Sequence, residues 1–277
     1  MAKKFSGILL ISDLDGTLLN SRQEVPLRNQ KALSRFVSEG GRFTVATGRT
    51  VKTAEEFLRK VPVNVPGVLL NGSILYDFAS QKILWQAFLS PGIKELCREI
   101  LKRFPKVTVE FMCGNTIYVL PDKETSKWRS VADDYFTSAD SMADVPDEIH
   151  KVVFAAKPEY MQELKAFIHS QPLDGIETMH SCDHLYELLP KGANKGSGLL
   201  KIAEIYSIPV DHIYAIGDYD NDADMLRVAG FSAVPLLSSE MAHQYADIRL
   251  GSCENGAVAD FIEYIDKSIS LYAEGKL

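Results

Sequence analysis

The chain reads as an α/β protein, a Rossmann-like doubly wound parallel sheet with an inserted α+β domain. Three observations carry that expectation. Short, largely apolar runs recur at Ile8–Ile11, Phe43–Ala46, Val68–Leu70 and Ile213–Ile216, each followed by a polar residue or a glycine; this is the signature of parallel strands buried on both faces. Stretches of helical period lie between the runs, as a crossover from one parallel strand to the next requires. Between residues 84 and 188 the texture changes to hairpins, and then the parallel pattern resumes. Residues 1–83 and 189–277 are therefore expected to form one core, interrupted by an inserted α+β domain over 84–188.

Each element follows from local chemistry. After the opening strand, Pro26–Glu39 places Ala32, Leu33, Phe36 and Val37 at helical spacing, and Gly40-Gly41 ends the helix. A second strand runs to Thr47, a helix covers Val51–Lys60, and a third strand stops at Asn71-Gly72. Ile74–Tyr76 and Ile83–Trp85 suggest a hairpin. Ser90-Pro91 opens a helix continued by Ile93, Leu96, Ile100 and Leu101. Val107–Phe111 with Thr116–Leu120 and Ile176–Met179 with Leu185–Leu189 read as hairpins, the second turning over His180–His184. Lys151–Ala156 is a strand and Pro158–His169 a helix; a further helix is expected near Trp128–Phe136. Beyond Lys191–Gly198 come a helix through Leu199–Ile205, a strand at Ile213–Ile216, a short helix at Met225–Val228 and a strand at Phe231–Leu237. Helices at Ser238–Tyr245 and Gly256–Ile269 close the chain.

Composition narrows the function. The 277 residues are 46% hydrophobic and 24% charged, the balance of a globular protein long enough for two cores. A net charge of −7 argues against a nucleic-acid partner, which needs a basic face. The opening apolar run is too short for a signal peptide and no stretch approaches a membrane span, so no membrane association is expected. Cys97, Cys113, Cys182 and Cys253 form no C-x-x-C pair; reduced thiols in a cytoplasmic protein without a zinc site fit best. No obligate protein partner is evident.

The chemistry concentrates at strand ends. Asp13 and Asp15 stand two residues apart at the end of the first strand, where both carboxylates can point to one side. Like charges there repel unless a cation or a shared proton relieves them; the pair is either a metal site or a nucleophile with an acid/base partner. Gly16 permits a sharp turn, and Thr17 adds a hydroxyl and an N–H. A second acidic cluster, Asp218–Asp222, again follows an apolar strand and a glycine. Two such clusters on one parallel sheet can converge on a hard cation. Oxygen ligands with few carboxylates favour Mg²⁺, and no twelve-residue calcium loop is present. Lys195 and Arg49 supply positive charge, Thr47 and Asn194 can donate to an anion, and Asp13, Thr47 and Asn71 lie where ligands gather, beyond the carboxyl ends of the strands. Cation, lysine, hydroxyl and two acids suit phosphoryl transfer, which is largely positioning and charge neutralisation.

In this order the motifs resemble those of the haloacid dehalogenase-like phosphohydrolases. Asp13-Leu14-Asp15-Gly16-Thr17 is similar to their first motif, Thr47-Gly48-Arg49 to the second, Asn194-Lys195-Gly196 to the third and Gly217–Asp222 to the fourth. An insertion between the second and third motifs resembles the branch with a large α/β cap, the Cof-like sugar phosphatases; Leu70-Asn71-Gly72 and Glu254–Ala259 look like that branch too. The resemblance implies a Mg²⁺-dependent phosphatase of small phosphorylated metabolites. Asp13 would be the nucleophile and Asp15 the acid and base. Thr47 and Lys195 would hold the phosphoryl oxygens, with Gly16, Thr17, Gly48, Arg49, Asn71 and Asn194 lining the phosphate site. Asp13, the Asp15 carbonyl, Asp218 and Asp222 would hold the metal, with Asn221 in support. A phosphomutase of the same superfamily and a non-catalytic phospho-ligand sensor are the alternative readings.

Overall fold

The computed structural model describes residues 3–120 and 136–273, which divide into two compact units. The first unit gathers residues up to Gly48, Ala54–Leu84 and Asn194 onward; the second gathers Arg49–Thr53 and Trp85–Ala193.

The first unit is built on a five-stranded parallel sheet of order β14-β13-β12-β1-β2. Its strands are β1 (Leu9–Ser12), β2 (Arg42–Val45), β12 (Ile213–Ile216), β13 (Phe231–Val234) and β14 (Ile248–Arg249). β1 lies inside the sheet: Leu9 pairs with Ile213 on one side and with Arg42 on the other. All four residues of β1 are buried, as a strand covered on both faces must be, and that accounts for the unbroken apolar run. β3 (Gly67–Leu69) continues the parallel order through a bridge between Ala46 and Val68, and then pairs antiparallel with β4 (Ile74–Asp77), which pairs with β5 (Lys82–Gln86).

The helices of this unit are α1 (Leu27–Ser38), α2 (Val51–Leu58), whose first residues group with the second unit, α5 (Lys195–Ile205), α6 (Ala223–Val228), α7 (Glu240–Tyr245) and α8 (Ala257–Ala273). β13 stops three residues before its expected end, since Pro235 has no N–H for the ladder. Its partner β14, only two residues long, went unread in the sequence.

The second unit carries a six-stranded sheet, β10-β11-β9-β6-β7-β8. Its strands are β6 (Thr108–Cys113), β7 (Thr116–Leu120), β8 (Phe136–Ser138), β9 (Lys151–Ala155), β10 (Ile176–Cys182) and β11 (Leu185–Pro190). All pairings are antiparallel except that of β7 with β8. Val109, Phe111, Val152, Phe154 and Leu188 share one face and pack with Ile93, Cys97 and Ile100 of α3 (Ile93–Arg103) and Met161, Leu164 and Ile168 of α4 (Pro158–His169). The other face buries Glu110, Lys151 and Glu187, with Lys151 Nζ 3.0 Å from Glu187 Oε2.

Two expectations need correction. β10 reaches Cys182 and pairs His180 with Tyr186, so His180 is a strand residue and the turn is shorter than read. The second unit ends at Ala193 rather than 188, because β11 runs on to Pro190, which pairs with Ile176. Of the helix expected near Trp128–Phe136, Trp128–Tyr135 lie outside the described residues and Phe136 begins β8. Among the described residues no helix is long and apolar enough to cross a membrane.

Candidate active site

The carboxyl end of the parallel sheet collects the polar residues. Asp13 follows β1 directly, its N–H donating to the carbonyl of Ile216 at the end of β12 (2.9 Å). The chain then turns through Leu14–Leu18, where Asp15 is extended and Gly16 takes a left-handed conformation with φ of 79°. Glycine is required there twice over. A β-carbon would face the φ penalty and would stand 2.5 Å from Asp218 Oδ2. Thr17 is buried and donates from Oγ1 to Asp218 Oδ1 at 2.7 Å, so the first turn grips the acidic loop after β12.

Lys195 opens α5 and is fully buried. Its ammonium donates to Asp13 Oδ1 and to Asp222 Oδ1, both at 2.6 Å. Asn194 places it: as N-cap, its side chain accepts from Ser197 N (2.7 Å), and Ser197 Oγ lies 3.2 Å from Asn194 N, a reciprocal cap. Asp222 is buried too. Beyond Lys195, its other oxygen accepts from the backbone N–H groups of Asp218 (2.9 Å) and Tyr219 (3.0 Å). Asp222, expected among the metal ligands, folds the acidic loop around the lysine. A carboxylate four residues after the first acid of the loop could have signalled this.

Oxygens of Asp13, Asp218 and Asp222 lie within 4.8 Å of one another. One lysine cannot balance three carboxylates. Burial pushes Asp13 well above the usual carboxylate range, Lys195 pulls it back, and Asp222, Asp218 and Asp15 add to the rise. Burial, with Asp222 next to it, raises Asp218 to about 7. Burial opposes the charge on Lys195, but Asp13 and Asp222 outweigh it and hold the ammonium above its ordinary value. Lys195 therefore remains cationic, and Asp13 and Asp218 are pushed toward their protonated forms unless a second cation joins them. A buried, all-oxygen donor set with more carboxylates than cations fits Mg²⁺.

The remaining expected residues have definite places. Thr47 is buried just beyond β2, its N–H donating to Val68 O (2.9 Å) and its carbonyl accepting from Asn71 N (3.0 Å). Asn71 Oδ1 accepts from Asn221 Nδ2 at 3.3 Å, which ties the turn after β3 to the acidic loop. Gly48 lies against that amide: a β-carbon there would be 3.1 Å from Asn71 Oδ1. Arg49 is half-buried and groups with the second unit. The first unit thus brings together Asp13, Thr17, Lys195, Asp218 and Asp222 by direct bonds, and Thr47, Asn71 and Asn221 by a second chain of bonds.

Residues 10–262 match the family model of the haloacid dehalogenase-like hydrolases. The chain belongs to that family. It is similar to the 5-amino-6-(5-phospho-D-ribitylamino)uracil phosphatase YitU of Bacillus subtilis, 23% identical over 92% of this chain and 96% of the relative. It is 26% identical to the pyridoxal phosphate phosphatase YbhA of Escherichia coli, over 90% of this chain and 95% of that one. Among solved structures, a haloacid dehalogenase-like hydrolase from Bacteroides thetaiotaomicron superposes with a TM-score of 0.82, at 21% identity over 93% of this chain and 99% of that chain.

Proposed function

We propose that the protein is a Mg²⁺-dependent phosphatase of small phosphomonoesters, sugar phosphates foremost, that works through an aspartyl-phosphate on Asp13. The class, a phosphoric monoester hydrolase, follows from the family and from relatives named as phosphatases. Their named substrates, a phosphoribityl compound and pyridoxal phosphate, are both small phosphomonoesters, which supports the substrate class.

The observation that carries the mechanism is the Asp13–Lys195–Asp222 chain. Two bonds of 2.6 Å fix the lysine, and the lysine fixes the Asp13 carboxylate at the carboxyl end of the sheet. A carboxylate held this way is oriented for attack, and the ammonium beside it offsets the charge of an arriving phosphoryl group. An Asp13 oxygen attacks phosphorus as the bond to the leaving oxygen breaks, and Asp15 gives that oxygen its proton. Asp15 then takes a proton from water as the water attacks the aspartyl-phosphate; the phosphorus–Asp13 bond breaks and inorganic phosphate leaves. Thr47 would donate to the phosphoryl oxygens. Asp13, Asp218, the Asp15 carbonyl and Asp222 would hold Mg²⁺, with Asn221 in support. When bound, Mg²⁺ supplies charge neutralisation for the carboxylates and the phosphoryl group. With Cys97, Cys113, Cys182 and Cys253 present as free thiols, we place the enzyme in the cytoplasm.

The test is a phosphate-release screen over sugar phosphates, nucleotides, flavin mononucleotide and pyridoxal phosphate, with and without Mg²⁺. Metal-dependent release is expected, and Asp13→Asn should reduce it by about three orders of magnitude or more. Release that survives Asp13→Asn would overturn the nucleophile assignment. Isomerised sugar phosphate with no free phosphate would overturn the hydrolase reading in favour of a mutase.

A further inference from the structure

The turn after β3 is unusual in its backbone. Leu70, Asn71 and Gly72 are consecutive left-handed residues, with φ of 48°, 54° and 102°. All three are buried. Leucine gains nothing from this conformation, and each non-glycine residue held there costs on the order of 1 kcal/mol or more. Such strain persists only where the surroundings determine it, and here three separate contacts do. The N–H of Asn71 donates to the carbonyl of Thr47 at 3.0 Å. Gly72 presses on the backbone of Asn194: a β-carbon would come 2.2 Å from the Asn194 carbonyl oxygen, so only glycine allows the approach. The side chain of Asn71 accepts from Asn221 at 3.3 Å. One strained turn therefore touches the residue at the end of β2, the cap that places Lys195, and the loop that carries Asp218 and Asp222.

We infer that Asn71 is a positioning residue, which holds the acidic loop in its metal-binding arrangement through Asn221 rather than by touching phosphate. The inference rests on the Mg²⁺ reading of the site given above. Asparagine suits the task because it tolerates the left-handed region better than other side chains while offering a carbonyl to a neighbour. Its Oδ1 reaches Asn221, and Asn221 stands next to Asp222, whose carboxylate closes the loop on the N–H groups of Asp218 and Tyr219. Losing an outer partner of this kind weakens metal affinity by about 10- to 100-fold.

The test is calorimetric titration of Mg²⁺ into the metal-stripped full chain, with the melting temperature recorded without metal and inhibition by inorganic phosphate measured at saturating Mg²⁺. Asn71→Gly keeps the backbone conformation and removes the amide. It should weaken Mg²⁺ binding about ten-fold or more, leaving the inorganic phosphate inhibition constant within about two-fold. Asn221→Ala should reproduce the loss from the other side of the bond, and the double variant should be no weaker than the worse single one, as for partners in one interaction. Asn71→Asp keeps an acceptor oxygen and a tolerance for left-handed φ, and should retain Mg²⁺ affinity. Normal Mg²⁺ binding by Asn71→Gly with weakened phosphate inhibition would overturn the inference and make Asn71 a phosphate ligand. Normal values for both would also overturn it. A wild-type chain that binds no Mg²⁺ would instead remove the metal reading on which the inference stands.

Discussion

Lys195 shows how much one buried charge can organise. It joins Asp13 and Asp222 across 182 and 27 residues of sequence, with almost none of its side chain exposed. Removing one partner of a buried ionic network typically costs about 3–5 kcal/mol, because the remaining charges stay buried without compensation. Lys195→Met is therefore expected to lower the melting temperature of the metal-free protein markedly, to recover part of the loss on adding Mg²⁺, and to abolish turnover; thermal melts with and without metal check this. Gly16→Ala should behave differently. The added methyl would strike the Asp218 carboxylate, so weakened Mg²⁺ binding, measured by titration, is expected to be the leading defect. Asp218 also gives the apo protein a pH signature. It titrates at about 7 in the fold against an ordinary value of 3.8. The folded state thus holds a proton that the unfolded chain releases. That stabilisation is complete below the ordinary value and is lost as pH rises to about 7. The melting temperature of the EDTA-treated protein should fall between about pH 5 and 7.5, and Mg²⁺ should raise it more at the upper pH than at the lower.

At the scale of elements, a buried amide joins α1 to α8 beneath the ion pairs of Arg28 with Asp260 and Glu263 and of Arg35 with Asp266. Asn29 is fully buried on α1; its Nδ2 donates to Leu18 O (3.1 Å), and its Oδ1 accepts from Ala259 N of α8 (2.9 Å). Asn29→Leu leaves a carbonyl and an N–H buried without their partner, at about 1–3 kcal/mol each. Chemical denaturation should show a lower midpoint, with little change in Mg²⁺ affinity in the protein that remains folded.

The same scale shows what was legible in the sequence and why. Strands β1, β2, β3 and β12 were readable because burial on both faces leaves largely apolar runs, broken in β2 only by Thr44, and glycine or polar residues stop them abruptly. Helices α1, α3 and α4 were readable from their period and from Pro158 at the start of α4. β14 has two residues and β8 three, too few for any period to register. At the site, Asp13 and Asp218 stood out because charge at the end of an apolar strand is costly, and Lys195 because Asn194-Lys195-Gly196 resembles a family motif. The partners did not. Thr17 was expected to meet phosphate, and its hydroxyl is bonded to Asp218; Asn194 was expected there too, and it caps α5. Which of several nearby acceptors a hydroxyl or amide chooses depends on distances of a few tenths of an ångström, set by packing between segments far apart in sequence.

For the molecule as a whole, the two units differ in how the chain supplies them. Apart from Arg49–Thr53, the second unit is one continuous stretch, Trp85–Ala193, with its own apolar cluster between sheet and helices. Expressed alone, residues 85–193 are expected to give a cooperative thermal transition by circular dichroism. Residues 1–84 alone should not, because β1 would lack β12 and the sheet would lack β13. This placement of β1 also bears on the protein's birth. The strand leaves the ribosome well before β12, yet one of its two edges is matched only by Ile213–Ile216. At about 5–20 residues per second, roughly 200 intervening residues keep that apolar edge waiting for about 10–40 s. For that interval the strand that leads to Asp13 is an open template for another nascent chain, and early chaperone capture of this segment is expected to raise the yield of folded protein.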